Sequence, residues 1–194
     1  MILRLKNAAC MAGIVGGSLL VAGCALEANA EETAEHSAAL CCELPTQSVI
    51  TEAGPDSYRV EQQVLLDAPV GQVWAQLGRL ERFFEIALPN ATDLRWVVGN
   101  GRSVGDELNF VLDGGLIRLL VVARDHHEHR FEYRLIEPSL GIAELESTLT
   151  LDSCGNRTAL VWVRDFRMEE GVSFDPLSEV VQQEFANLIA RFSP

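Results

Sequence analysis

From residue 58 onward much of the chain alternates apolar and polar residues one for one, and a long run at three- and four-residue spacing comes over 173–192. Tyr58, Val60, Gln62, Val64 and Leu66 alternate with Arg59, Glu61, Gln63 and Asp67, which predicts a strand with one buried face. Ala68-Pro69 ends that strand, and a short helix is predicted over 70–77 with Val73, Trp74 and Leu77 inward. A second short helix over 80–86 carries Phe83 and Phe84. Period-two segments then recur at 93–98, 107–112, 116–124, 130–137, 143–152 and 158–168. Between them stand Gly99-Asn100-Gly101, Asp113-Gly114-Gly115 and the segments 138–141 and 153–156, which is turn chemistry at hairpin spacing.

The closing segment reads as a helix. Asp175 is placed to cap it, with Pro176 in the first turn. Leu177, Val181, Leu188 and Phe192 recur at helical spacing, flanked by Val180, Phe185 and Ile189. So wide a stripe must lie on a broad apolar surface. Seven strands followed by one long helix predict an α+β domain, a curved antiparallel sheet wrapped around that helix. One residue breaks the stripe: at about 100° per residue, Glu184 falls near its middle.

Strand alternation puts Trp162, Arg164 and Phe166 on one face of their strand; Phe131, Tyr133 and Leu135 likewise share a face, as do Leu145, Ser147, Leu149 and Leu151. If Trp162 faces inward, Arg164 does too. An inward arginine and a mid-stripe glutamate are each costly to bury alone. Three readings stay open. The two pair, with each other or with neighbours, and fix the helix on the sheet; one of them meets the polar head of a ligand; or one of them reaches solvent.

The chain before residue 58 has a different character. Arg4 and Lys6 precede an apolar run from Ala8 to Ala22, the layout of a secretory signal and too short for a comfortable membrane span. Leu20-Val21-Ala22-Gly23-Cys24 resembles the bacterial lipobox, in which the cysteine is acylated and becomes the mature N-terminus. The expectation is cleavage after residue 23, lipidation of Cys24 and residence on the periplasmic side of the envelope, at the outer membrane. Ala28-Asn29-Ala30 offers an ordinary cleavage site and a soluble periplasmic product instead. Residues 24–57 are acidic, small and without apolar period, which reads as a tether.

Charge and cysteines narrow the chemistry. Removing Arg4 and Lys6 takes the formal charge from −13 to −15, which excludes electrostatic binding to nucleic acid or anionic headgroups. Lys6 is the only lysine, so the mature chain has no lysine nucleophile or Schiff base. Of the five cysteines, Cys41-Cys42 and Cys154 remain after processing, and a bridge from one of the pair to Cys154 is the plain reading in an oxidising compartment. Asp125, His126, His127, Glu128 and His129 form a turn rich in possible ligands, but adjacent hairpin residues seldom converge, and no metal or cofactor is expected.

The order of one strand, two short helices, six strands and a long helix resembles the START-like (SRPBCC) superfamily, in particular its polyketide cyclase/dehydrase-like and birch-pollen-allergen-like members. Leu66-Asp67-Ala68-Pro69-Val70-Gly71-Gln72-Val73-Trp74 is similar to that family's strand-to-helix step. Ser103-Val104-Gly105-Asp106-Glu107, Arg130-Phe131-Glu132-Tyr133 and Val161-Trp162-Val163-Arg164-Asp165-Phe166 are similar to three of its strands. The chain departs from the pattern at Glu107-Leu108, where many relatives carry arginine, and at Phe83-Phe84, where they often carry tryptophan. The resemblance implies a helix-grip domain over 58–194 with a cavity for a hydrophobic or amphipathic ligand between sheet and helix. Tyr133, Trp162, Arg164, Phe166, Glu184, Phe185 and Leu188 are the expected wall. A tethered binding or carrier protein for a small apolar ligand is the expected function. The alternatives are a cyclase/dehydrase-like enzyme using Glu184 or Tyr133 with Arg164, and an accessory module that binds another exported protein.

Overall fold

The computed structural model describes residues 44–193. The expected signal segment, Cys24, the Cys41-Cys42 pair and most of the expected tether lie outside the described residues. The strands are β1 (Gln47–Gly54), β2 (Ser57–Leu66), β3 (Thr92–Val98), β4 (Glu107–Leu112), β5 (Gly115–Asp125), β6 (Arg130–Leu135), β7 (Ile142–Cys154) and β8 (Arg157–Met168). The helices are α1 (Val70–Leu77), α2 (Leu80–Ala87) and α3 (Asp175–Phe192).

All eight strands form one antiparallel sheet in the order β1-β2-β8-β7-β6-β5-β4-β3. The hairpins expected from the glycine-rich turns join β4 to β5 and β7 to β8, and β2 closes on β8 with Ser57 opposite Arg167 and Leu66 opposite Thr158. The sheet therefore has one strand more than the seven expected, because β1 extends it into the segment read as tether. Val49 and Ile50 of β1 are both exposed, so this strand has no buried face for a pattern to reveal. What holds it is the backbone ladder to β2, from Gln47 opposite Gln63 to Gly54 opposite Ser57, together with a bond from Gln62 Nε2 to Ser48 Oγ at 3.0 Å. Cys154, at the end of β7, is disulfide-bonded.

The long helix lies where its stripe requires. Val181, Glu184, Phe185, Leu188 and Phe192 are buried along α3. Asp175 is its first residue rather than its cap; the cap is Phe174, and the Ser173 hydroxyl accepts the Asp175 N–H at 3.1 Å. The core between helix and sheet divides in two. A large apolar cluster gathers α1, α2 and the lower half of α3 around Phe83, Trp162 and Leu188, and a smaller one joins Val60, Ile142, Phe166, Phe174 and Val181.

Removing residues 1–56 deletes β1, exposes the ladder edge of β2 and takes one acceptor from buried Gln62. Relative to a chain starting at Leu44, that truncation is expected to lose about 1–2 kcal/mol. Urea titrations of the two truncated chains with equal midpoints would show that β1 adds nothing.

Candidate functional site

A row of polar side chains crosses the core between the two apolar clusters. In the sheet register Arg164 of β8 stands opposite Ser147 of β7, and Ser147 stands opposite Tyr133 of β6. Residues directly opposite on one sheet face have touching side chains, so the three form one band. Each sits in an otherwise apolar alternation: Trp162-Arg164-Phe166 on β8, Leu145-Ser147-Leu149 on β7 and Phe131-Tyr133-Leu135 on β6. On α3, Glu184 lies between Val181 and Leu188, one turn from each, and so meets the band from above.

Arg164 and Glu184 are 3% and 5% exposed, and they form an ion pair through Arg164 Nη1 and Glu184 Oε2. Of the three readings left open by the sequence, the structure has the first. Arg164 Nη2 also donates to Gln62 Oε1 at 2.7 Å, and Gln62 Nε2 donates in turn to the Val181 carbonyl at 3.1 Å. The guanidinium lies over the Trp162 ring, 3.5 Å from its centroid. Trp162 Nε1 donates to Ser147 Oγ at 2.9 Å. One guanidinium nitrogen makes no hydrogen bond at all: Arg164 Nε–H is buried and has no partner among the described residues.

Burial sets the protonation behaviour of the band. It pushes the Glu184 carboxyl above the ordinary range, against the opposing pull of the Arg164 charge and hydrogen bond. It also pushes the Tyr133 phenol well up; Arg164 opposes that shift and Glu184 adds to it. Tyr133 is therefore a neutral phenol at any physiological pH.

Beside the band is a cavity of about 60 Å³ between the sheet, α2 and α3. Ile117, Leu140, Phe166, Leu177 and Val181 are among its apolar walls, and Tyr133, Arg164 and Glu184 form its polar end. That volume takes a few heavy atoms, well below the roughly 300–1,000 Å³ of a site for a drug-sized molecule. A larger guest requires some part of the wall to move. Leu140 lines the cavity, is 42% exposed, and holds a left-handed backbone at φ 53°, uncommon for a residue other than glycine.

Of the expected wall, Tyr133, Arg164, Phe166 and Glu184 line the cavity. Trp162, Phe185 and Leu188 are buried in the larger apolar cluster, of which Phe84, Phe110 and Leu119 line the cavity and these three do not. Gln62 and Ser147 were legible as inward positions but not as parts of the site. Their signal was a polar residue in an apolar alternation. At the β5–β6 turn, His126 and His129 pack edge-on against Trp74, at 5.7 and 5.5 Å between ring centres, and no group of three or more potential ligands to a metal forms among the described residues.

Comparison with known proteins supports the architecture. A family model described as polyketide cyclase / dehydrase and lipid transport matches residues 57–193. No curated protein matches the chain. Among solved structures, a protein from Nitrosospira multiformis superposes with a TM-score of 0.55 at 22% identity, over 70% of this chain and 96% of that one. Major latex-like protein 151 from Panax ginseng gives 0.55 at 14% identity, over 72% and 99%. A protein from Thermobifida fusca gives 0.57 at 19% identity, over 69% and 92%. At such identities the likeness is one of fold.

Proposed function

The chain belongs to the polyketide cyclase / dehydrase and lipid transport family, and on that footing we propose that it binds and carries a small apolar molecule bearing one polar group. The observation that carries the reading is the cavity between sheet and α3, apolar on its sides and polar only where Tyr133, Arg164 and Glu184 meet it. An apolar wall with few convergent polar groups is the usual make-up of a small-molecule site. The lipobox-like segment ending at Cys24 supports delivery of this domain to the envelope, tethered through an acylated N-terminus.

An enzymatic reading has one observation in its favour, since Glu184 and Tyr133 are both held above their ordinary ranges beside a fixed positive charge. Carriage accounts for the site with fewer assumptions: the ion pair already occupies the carboxylate that a general base would need free.

Two measurements test the proposal. Cys24→Ser is expected to move the protein from the membrane pellet to the soluble periplasmic fraction; unchanged pelleting would remove the tether. Organic extraction of the purified folded domain, followed by mass spectrometry, is expected to yield a stoichiometric apolar compound or to leave a domain that takes up dodecanol saturably. A domain that yields none and takes up none is not a carrier.

A further inference from the structure

The charges of the polar band restrict what its ligand can be. Arg164 is the cation of the band, and Glu184 already neutralises it. Its second terminal nitrogen is taken by Gln62, and one face of its guanidinium by Trp162. The nitrogen that makes no hydrogen bond is Nε, a buried donor with no acceptor among the described residues. Tyr133 adds no charge, because burial keeps its phenol protonated. A guest reaching this end of the cavity therefore meets a band that is electrically neutral as a whole and whose Arg164 Nε–H has no acceptor among the described residues.

From this we infer that the site selects a neutral acceptor head, a hydroxyl, ketone or ester oxygen on an apolar chain or ring, and rejects an ionised carboxylate or phosphate. The inference rests on the carrier reading and refines it. A neutral oxygen satisfies Nε–H and leaves the ion pair intact. A carboxylate satisfies the same donor but brings a second negative charge beside Glu184, in a site where neither charge is screened by water. It must shed its own hydration with no uncompensated cation to receive it. The acidic surface of the chain, formally −13 overall, adds repulsion on approach. Family membership alone would not separate these classes, since a fatty alcohol and a fatty acid present the same apolar body.

The discrimination is a property of Glu184, so it is reversible. In Glu184→Gln the guanidinium loses its counter-charge while Gln62 and Trp162 still hold it in place. A carboxylate then replaces the missing anion, and the preference is expected to invert.

The experiment is a competition at pH 7.5 on the natural mature domain, in which dodecanol, methyl dodecanoate and dodecanoate displace a neutral fluorescent apolar probe. Dodecanol and the methyl ester are expected to compete at least tenfold better than dodecanoate. Equal or better competition by dodecanoate overturns the inference and leaves the carrier reading standing. Failure of the probe and of all three compounds to bind overturns both. The natural chain alone decides the matter, so the result does not depend on the stability of any variant. Where Glu184→Gln retains cooperative unfolding, dodecanoate is expected to gain at least tenfold over dodecanol relative to the natural chain; an unchanged ratio would assign the selectivity elsewhere and overturn the role given to Glu184.

Discussion

Replacing Arg164 by Met, or Glu184 by Leu, is expected to cost about 3–5 kcal/mol when done alone and far less when both are replaced together. Each single change leaves a charge buried without its partner, and the desolvation that the pair shared falls on one group. The double change removes both charges and lets apolar side chains bridge the two clusters that the polar band now separates. In a domain of this size the single losses correspond to a drop in melting temperature on the order of 10 °C. Thermal melts of the natural chain, the two single variants and the double variant form a complete cycle. Additive losses, with the double variant the least stable of the four, would show that the pair is not a unit.

Truncating Trp162 is expected to produce the other large effect. The side chain is fully buried, packs edge-on against Phe83 at 4.8 Å between ring centres, covers the Arg164 guanidinium and donates to Ser147. Trp162→Ala removes all four contributions and is expected to cost about 3–5 kcal/mol. Trp162→Phe keeps a ring against Phe83 and Arg164 but loses the N–H, so the Ser147 hydroxyl must find another donor. Its expected cost is about 1–2 kcal/mol. Urea titration separates the two: a loss below about 1 kcal/mol for the alanine variant would mean that Trp162 does not organise the boundary between cluster and band.

The position of the polar band was readable because two periodicities met there. Helical spacing put Glu184 in mid-stripe, and strand alternation put Arg164 between Trp162 and Phe166. Each is a local rule, and the pairing followed once sheet and helix were stacked. Depth within the core was not readable in the same way. Alternation tells which face a residue takes, not which inward side chains border empty space, and so Trp162, Phe185 and Leu188 were grouped with the cavity although they pack within the larger cluster away from its lining. β1 escaped for a different reason. Its adjacent Val49 and Ile50 both face solvent, so it carries no core pattern, and its order comes from backbone hydrogen bonds that every sequence can make.

The polar band also explains the division of the core. Val64, Trp162 and Leu188 belong to the large cluster, and Val60, Phe166 and Val181 to the small one. Gln62, Arg164 and Glu184 lie between them on the same three elements, β2, β8 and α3. Polar groups at matched levels hold α3 at one height on the sheet, because a shift of one turn would set each charge against an apolar neighbour. The same arrangement gives the cavity a defined polar end. Register and ligand recognition therefore depend on the same residues.

The most direct test of that claim is to observe the unused donor. Arg164 Nε–H and Arg118 Nε–H are both buried and without partners among the described residues, but Arg164 lines the cavity while Arg118 lies on the opposite face of the sheet, bonded through its terminal nitrogens to Glu107 and Glu137. In nitrogen-edited NMR spectra of the arginine Nε–H groups, titration with dodecanol is expected to shift the Arg164 signal saturably and leave that of Arg118 in place. An Arg164 signal that stays fixed while dodecanol binds would contradict the account, since the ligand would then be meeting some other part of the molecule.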